Sequence, residues 1–320
     1  MVTNSQIERN VIASPPPKSR PLFTVKDALW LVYLYPLRFF VGCLPAQLVP
    51  RLERLMVPLF LLIGSRQRRG VEAKLAPVAQ RLPPGRTPRE ISRAYMRNAV
   101  VRALEDLVFE RLFRGGHVHC DGIEGLNHLE EALSAGRGAI LLSVHSFAGR
   151  LAKHQLARSG HSAMSIRSQS PQAGGMGRFG HRVLQPRYVK FLEPVIGDEV
   201  YAQSPDCSLQ ILRRLRAGGV VNVHLDGNTS RTFREVPFLG GTALLPVGFL
   251  DIVRLSGTPV LPLLCLGNSR NLRICVGPAF DRVPAENSDE FIDANLPPMA
   301  RKMEADILAH PDQWELWIKL

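Results

Sequence analysis

The chain has 320 residues, 45% of them apolar and 21% charged, which excludes a wholly disordered protein and allows one large domain with an appendage or two modest domains. Its 40 lysines and arginines outnumber 28 acidic residues. The resulting net charge of +12 predicts an anionic partner, either a nucleic acid or a membrane rich in acidic lipids. The basic residues are scattered through apolar segments without a dense run, which argues against a nucleic-acid-binding tail.

The first 115 residues are predicted to comprise a disordered tail, residues 1–22, and a helical, membrane-associating region, residues 23–115. The tail is polar, carries a proline triplet at residues 15–17 and shows no signal-peptide pattern. In the helical region, residues 86–113 place apolar side chains at helical spacing with charged side chains opposite them.

Two apolar runs in the helical region, residues 28–45 and 55–63, indicate contact with a membrane. A spanning helix needs about 20 apolar residues and tolerates a central charge poorly, and the first run contains Pro36 and Arg38. We therefore predict a helix that lies in the interface or dips into one leaflet. Its aromatic residues at headgroup depth are Trp30, Tyr33 and Tyr35. An ordinary buried helical hairpin is the alternative.

From residue 116 to residue 320 the pattern predicts an α/β domain whose largely parallel sheet is covered by helices. Apolar runs of strand length lie at residues 139–144, 220–225, 260–266 and 272–276. Helix-like stretches alternate with them at residues 148–158, 208–217, 246–256 and 289–309. Five widely spaced cysteines form no C-x-x-C pair, and we interpret them as reduced thiols of a cytosolic compartment.

The most informative single residue is His145, which directly follows the apolar run at residues 139–144 and precedes a helix-like stretch. Catalytic and ligand-binding groups collect at the carboxyl ends of strands in open α/β sheets. Histidine is also the side chain best suited to accept a proton from an alcohol near neutral pH. His145 is therefore a candidate general base, with a hydrogen-bonded structural histidine as the alternative.

Three further residues end strands or lie in loops that could meet this histidine. Arg167 follows a short apolar strand, where its guanidinium could bind a phosphate through two hydrogen bonds. Asp226 ends another apolar run at an Asp-Gly turn, and Glu235 opens a segment that leads to a helix near Pro246. Each has an ordinary alternative, a surface arginine, a turn-forming aspartate or a loop, but their order and spacing together favour a site.

Two motifs are more specific: V-P-F-L-G at residues 236–240 and H-P-D-Q-W at residues 310–314. With these motifs, the region from about Gly136 to the C-terminus resembles the bacterial lipid A biosynthesis acyltransferases of the lysophospholipid acyltransferase superfamily. In that family a strand ends at the histidine of an H-x4-D/E motif, and His145 occupies its place. The resemblance implies that Arg167 contributes to binding an acceptor or phosphate, and we predict that Glu235 also contributes to substrate binding.

The position five residues after His145, where the family has its acid, is Arg150. A carboxylate orients the catalytic imidazole and stabilises its protonated form, whereas a nearby guanidinium does the opposite. Three explanations stay open. A carboxylate from another strand, Asp226 or Glu235, could approach His145; His145 could act alone while Arg150 binds substrate; or the fold could persist without the chemistry.

The resemblance implies a membrane-associated enzyme that moves a fatty acyl chain from an acyl carrier protein or acyl-CoA thioester to a hydroxyl or amine of a lipid or glycolipid. His145 would be the base, and the apolar cleft for the chain is predicted along a helix from Leu244 to Leu255. No cofactor, metal or nucleic acid is expected; the predicted partners are anionic lipids and the thioester donor, at the cytoplasmic face of the bacterial inner membrane. A non-catalytic lipid-binding or scaffold protein on the same fold is the rival prediction.

Overall fold

A computed structural model of the chain describes residues 21–45, 48–167, 176–196, 198–228 and 230–318. Its backbone contacts divide the chain into two compact units, Met1–Leu44 with Ser170–Pro194 and Pro45–Gln169 with Val195–Leu320. Most of the predicted tail, residues 1–20, lies outside the described residues. Every regular element described between residues 23 and 115 is helical, in agreement with the prediction for that region.

The elements are bounded as follows. The α-helices are α1 (Val25–Val32), α2 (Arg38–Cys43), α3 (Val49–Ile63), α4 (Ser65–Leu75), α5 (Pro88–Arg114), α6 (Leu126–Ser134), α7 (Gly149–Arg158), α8 (Gln185–Ile196), α9 (Cys207–Arg216), α10 (Gly248–Ser256) and α11 (Ser288–Ala309). The strands are β1 (Cys120–Glu124), β2 (Ala139–Ser143), β3 (Ala163–Arg167), β4 (Glu199–Tyr201), β5 (Val220–His224), β6 (Phe233–Phe238), β7 (Gly241–Pro246), β8 (Val260–Leu266) and β9 (Leu272–Val276).

The larger unit contains a seven-stranded sheet in the order β1-β9-β8-β2-β5-β3-β4, in which β8 and β9 pair antiparallel and the other neighbours pair parallel. This confirms the predicted α/β class with a largely parallel sheet. All five residues of β2 are buried, as expected for a strand covered on both faces. The predicted strands and helices that flank the site agree with the structure to within one or two residues.

The segment from Glu235 onward differs from the prediction. Residues that looked like a loop and the start of a helix form the antiparallel hairpin β6–β7, and α10 begins only at Gly248. A single helix from Leu244 to Leu255 is therefore wrong, because Leu244 lies in β7. The alternation of the hairpin is short and interrupted by Pro237, so its period is hard to distinguish from a loop.

In the smaller unit, α1 begins at a capping box formed by Thr24 and Asp27. The buried Asp27 carboxylate also accepts a hydrogen bond from the backbone N–H of Gly177 at 3.0 Å. Pro36 lies in a π-helical turn, Tyr33–Leu37, that joins α1 to α2. A π-helical turn accommodates the proline ring, whose clash with the preceding turn would break a regular α-helix.

None of the helices in the described part of the chain is both long and apolar enough to cross a bilayer. The predicted interfacial position of the first apolar run stays a prediction. Within the smaller unit, the Trp30 and Tyr33 rings pack against Tyr188, with the Trp30 and Tyr188 centroids 4.6 Å apart. Tyr35 is exposed at the surface.

Candidate active site

The parallel pairing of β2 with β5 places two of the predicted residues side by side. Ser143 ends β2 in register with His224, which ends β5. His145 and Asp226 each lie two residues beyond this registered pair, at the carboxyl edge of the sheet. The pairing of β2 with β5 therefore brings together an imidazole and a carboxylate that are about 80 residues apart in the sequence.

Asp226 holds His145 through both its backbone and its ring. The Nδ1 atom of His145 lies 2.7 Å from Asp226 Oδ1, and its backbone N–H donates to Asp226 Oδ2 at 2.9 Å. The Asp226 side chain is only 4% exposed, whereas that of His145 is 34% exposed. Because the buried carboxylate accepts from Nδ1–H, the neutral ring carries its lone pair on Nε2, the nitrogen suited to take a proton from a substrate.

The ionised form of Asp226 is stabilised despite its burial. Burial by itself would raise the pKa of Asp226, but the charge of His145 and the hydrogen bond to its ring outweigh this effect. Smaller contributions come from His224 and from the hydrogen bond of Trp314, and the pKa falls to about 2. At neutral pH Asp226 is therefore an anion that orients His145 and stabilises its protonated form.

The C-terminal H-P-D-Q-W segment and the residue after it form hydrogen bonds with both members of this pair. The indole Nε1–H of Trp314, which is 2% exposed, donates to Asp226 Oδ2 at 2.7 Å. The backbone N–H of Glu315 donates to the carbonyl of His145 at 2.9 Å, and Ser146 pairs antiparallel with Trp314. A buried indole N–H requires an acceptor, and here it fixes the second carboxylate oxygen.

Beneath His145 lies a second histidine. The rings of His145 and His224 stack with centroids 4.2 Å apart and an interplanar angle of 26°. His224 Nδ1 is 3.0 Å from the Ser143 hydroxyl, which donates to Asn222 Oδ1 at 3.0 Å. Burial, followed by the proximity of His145, lowers the pKa of His224 to about 3, so this ring is neutral at physiological pH.

His145, His224 and Asp226 also offer nitrogen and oxygen atoms that all lie within 4.8 Å of one another, the spacing of metal ligands. The two imidazoles lie in nearly parallel planes, however, so their in-plane lone pairs do not converge on one point. The ring nitrogens of His224 already face Ser143 and Asn222. The arrangement suits a proton-transfer pair better than a metal centre.

Arg150, in the first turn of α7, is paired with a carboxylate from another helix. Its guanidinium donates to Asp106 of α5, and Arg102 Nε lies 3.8 Å from the same Asp106 oxygen. Arg102 in turn forms an ion pair with Glu315, the residue whose backbone holds the His145 carbonyl. The charge of Arg150 is thus compensated, and the carboxylate that reaches His145 comes from the turn after β5.

Comparison with known proteins decides the family. Residues 91–319, well over half of the chain, match the family described as bacterial lipid A biosynthesis acyltransferases. The chain belongs to this acyltransferase family. Its curated relatives include the phosphatidylinositol mannoside acyltransferases of two Mycobacterium tuberculosis strains, CDC 1551 / Oshkosh and H37Rv. Each is 29% identical over 198 residues, which cover 61% of this chain and 58% of the relative's length.

Within this member of the family, the structure distinguishes between the carboxylates that the sequence left open. Asp226 contacts His145, whereas Glu235 lies exposed on β6 in register with Leu244 of β7. Arg167 ends β3, one strand beyond β5, and its Nη1 atom donates to Glu199 of β4 at 2.9 Å. Substrate binding by Arg150, Arg167 and Glu235 stays a prediction.

We predict that restoring the family's acid at position 150 harms this protein. Arg150→Asp sets a new carboxylate against the 7% exposed Asp106, so the free energy of unfolding should fall by about 1–3 kcal/mol. Arg150→Met removes the charge but keeps the length of the side chain, and Asp106 retains Arg102, so a smaller loss is expected. Urea denaturation of both variants and of the unaltered chain measures the three free energies of unfolding. An Arg150→Asp variant as stable as the unaltered chain would contradict the importance of the Arg150–Asp106 pair.

Three contributors to the site were not predicted from the sequence. Asp106 lies on α5, about 40 residues before Arg150, and the 3.6-residue pattern of that helix does not reveal which strand end it faces. His224 lies two residues before the predicted Asp226-Gly227 turn, and its position near a strand end was the available signal. The H-P-D-Q-W motif was recognised, but the donation of its Trp314 to Asp226 depends on the three-dimensional path after α11.

Proposed function

We propose that this protein is a membrane-associated acyltransferase that moves a fatty acyl chain from a thioester to a hydroxyl or amine of a lipid or glycolipid, with His145 as general base. The observation that carries the proposal is the buried Asp226 carboxylate. It accepts from the His145 ring and from Trp314, and so presents Nε2 of His145 as the basic nitrogen. Membership of the family supports the acyl-transfer class.

In the proposed reaction, Nε2 of His145 takes the proton of the acceptor hydroxyl or amine as the acceptor atom attacks the thioester carbonyl. The new carbon–oxygen or carbon–nitrogen bond forms, the carbonyl oxygen becomes an oxyanion, and the carbon–sulfur bond then breaks. The proton on His145 passes to the leaving thiolate, which departs as the thiol. Asp226 stays ionised throughout and stabilises the transient imidazolium.

The donor is proposed to be an acyl carrier protein or coenzyme A thioester, with no resident cofactor or metal. The names of the relatives indicate a glycosylated phospholipid as acceptor for those proteins, and we extend the class of lipid or glycolipid acceptors to this chain. The site is proposed to face the cytoplasm at the bacterial inner membrane. Five cysteines, all within the described residues and all free thiols, fit a reducing compartment.

The test of this function is acyl transfer by the full-length protein. Acyl carrier protein and coenzyme A, each loaded with an isotope-labelled acyl chain, are incubated with lipid A precursor, phosphatidylinositol mannoside and a total bacterial lipid extract. The expected product is a labelled lipid together with one equivalent of free thiol. Acyl-chain binding without a labelled product from any donor would overturn the enzyme in favour of the non-catalytic lipid-binding protein.

The membrane component of the proposal rests on an apolar stripe of α3 that faces solvent. Its residues follow the spacing i, i+4, i+7, i+8 of a single helix face and are all exposed: Leu55, Leu59, Leu62 and Ile63. Core-facing helices bury such a stripe, whereas this one leaves Leu62 77% exposed. Exposed arginines flank it, at 51 and 54 before the stripe and at 66 and 69 after it. Apolar residues bordered by arginines match a bilayer surface that contains anionic lipids.

We predict that the double substitution Leu62→Ser and Ile63→Ser weakens binding to vesicles of phosphatidylglycerol and phosphatidylcholine by about tenfold or more. Binding would lose the favourable free energy of moving two apolar side chains from water into the bilayer. Vesicle co-sedimentation of the full chain measures this effect. The matched control is Leu255→Ser on α10, a similarly exposed leucine (70%) outside the stripe, which should bind as the unaltered chain does. Equal weakening by both substitutions would contradict a specific role of α3.

A further inference from the structure

The second histidine of the site, His224, has a bonding pattern that suits its neutral form. The Ser143 hydroxyl donates to Asn222 Oδ1, so its oxygen accepts from His224 Nδ1–H at 3.0 Å. The amide nitrogen Nδ2 of Asn222 faces His224 Nε2 at 3.4 Å and can only donate to it. A second proton on His224 would meet an N–H group instead of an acceptor.

The charged and titratable groups around His224 are consistent with this pattern. Burial and the neighbouring His145 and Lys153 disfavour a charge on the ring, and Asp226 and Glu315 counteract them only in part. Asp226 is also directed elsewhere, because both of its oxygens accept from His145 or Trp314. The ring therefore stays uncharged when His145 next to it gains a proton.

His224 also supplies a restraint that Asp226 cannot. The bond from Nδ1 to Asp226 restrains one edge of the His145 ring, but a single hydrogen bond tolerates small rotations of the ring plane about Cβ–Cγ. The His224 ring, stacked at 4.2 Å on one face, fixes the plane of the His145 ring and with it the direction of Nε2. The His145 side chain is one-third exposed, so the surrounding core does not fully enclose it.

We propose that His224 is a positioning residue for the reaction: a neutral aromatic plate that fixes the plane of His145 and accepts the imidazolium against its face without repelling it. This inference rests on the proposed acyltransferase function. It assigns no proton transfer to the nitrogens of His224, which serve only to anchor the plate to Ser143 and Asn222. His224 acts through the flat shape of its ring and through its lack of charge.

Two variants of the full chain distinguish a stacked positioning ring from a proton relay through the nitrogens of His224. His224→Ala removes the stacked ring, and kcat should fall on the order of 10-fold to 100-fold with KM unchanged, because a shift of about 1 Å in a reacting group has effects of this size. The combined Ser143→Ala, Asn222→Leu and His224→Phe variant keeps an aromatic ring and removes all three polar partners together. It should recover activity to within about threefold of the unaltered chain, since replacing a whole buried network is far less costly than breaking it.

If the combined variant unfolds, His224→Phe alone takes its place.

Full kcat in His224→Ala would overturn the proposal, as would a folded ring-retaining variant that stays as slow as His224→Ala. A second measurement does not depend on activity: the ¹⁵N chemical shifts of the histidine rings in the unaltered chain from pH 5 to 9. His224 is expected to remain in the neutral Nδ1–H form throughout, and a protonated His224 in this range would overturn the plate. If the unaltered chain transfers no acyl group, the proposed function fails, while the ring shifts still decide whether His224 is a neutral, anchored plate.

Discussion

Substituting alanine for His145 is expected to lower kcat for acyl transfer by about 10²–10⁴-fold, the contribution typical of a positioned general base. The reason is geometric: His145 is the group whose ring is oriented by the buried Asp226 and which also reaches solvent. Its removal leaves the backbone and the strand pairing unaltered. The KM for the donor should therefore change little, and steady-state kinetics with both thioester donors measure the two parameters.

A matched control for the loss of an imidazole is His119→Ala. His119 is exposed immediately before β1, the edge strand of the sheet, which lies three positions away from β2 in the strand order. This variant should retain the activity of the unaltered chain. An active His145→Ala protein would show that the transfer uses another base, and the role of the His145–Asp226 pair would then be structural.

How far the sequence predicted this arrangement depends on the range of the interactions involved. Four strands, β2, β5, β8 and β9, and four helices around them were predictable because buried strands are short apolar runs, and their bounds agree with the structure within one or two residues. His145 and Asp226 were identifiable as strand ends, since ligands collect at that edge of an α/β sheet. That β2 and β5 are neighbours, so that Asp226 and not Glu235 meets His145, required the sheet order.

The arginine at position 150 shows the limit more clearly. In sequence it stands where the family has an acid, and it suggested a broken catalytic pair. In the structure its charge is balanced by Asp106 from α5, while the carboxylate at His145 is supplied by the next strand. Side-chain pairs between a helix and a distant strand end leave no local pattern. A family motif can therefore lose one of its residues while the charge arrangement around the histidine is preserved.

The charge of Asp226 also links the site to stability. Its pKa in the folded chain, about 2, lies below the ordinary value of 3.8, so the ionised carboxylate stabilises the fold above the ordinary pKa. This contribution is lost as the pH falls through the folded pKa. The difference in the free energy of unfolding between the unaltered chain and Asp226→Asn should be full at pH 7 and smaller at pH 3.

Asp226→Asn is expected to lower kcat about 10²–10⁴-fold, nearly as much as the loss of His145 itself. Asp226 accepts three hydrogen bonds, from the backbone and ring of His145 and from the indole of Trp314, and it donates none of them. Asparagine can accept only at its oxygen, so its NH₂ group must face an N–H donor, and the His145 ring loses either its orientation or its tautomer. Asp121→Asn, at an exposed aspartate on β1, is the control for the same chemical change and should keep full activity. Steady-state kinetics with the labelled thioesters measure both variants; full activity of Asp226→Asn would mean that His145 needs no carboxylate partner.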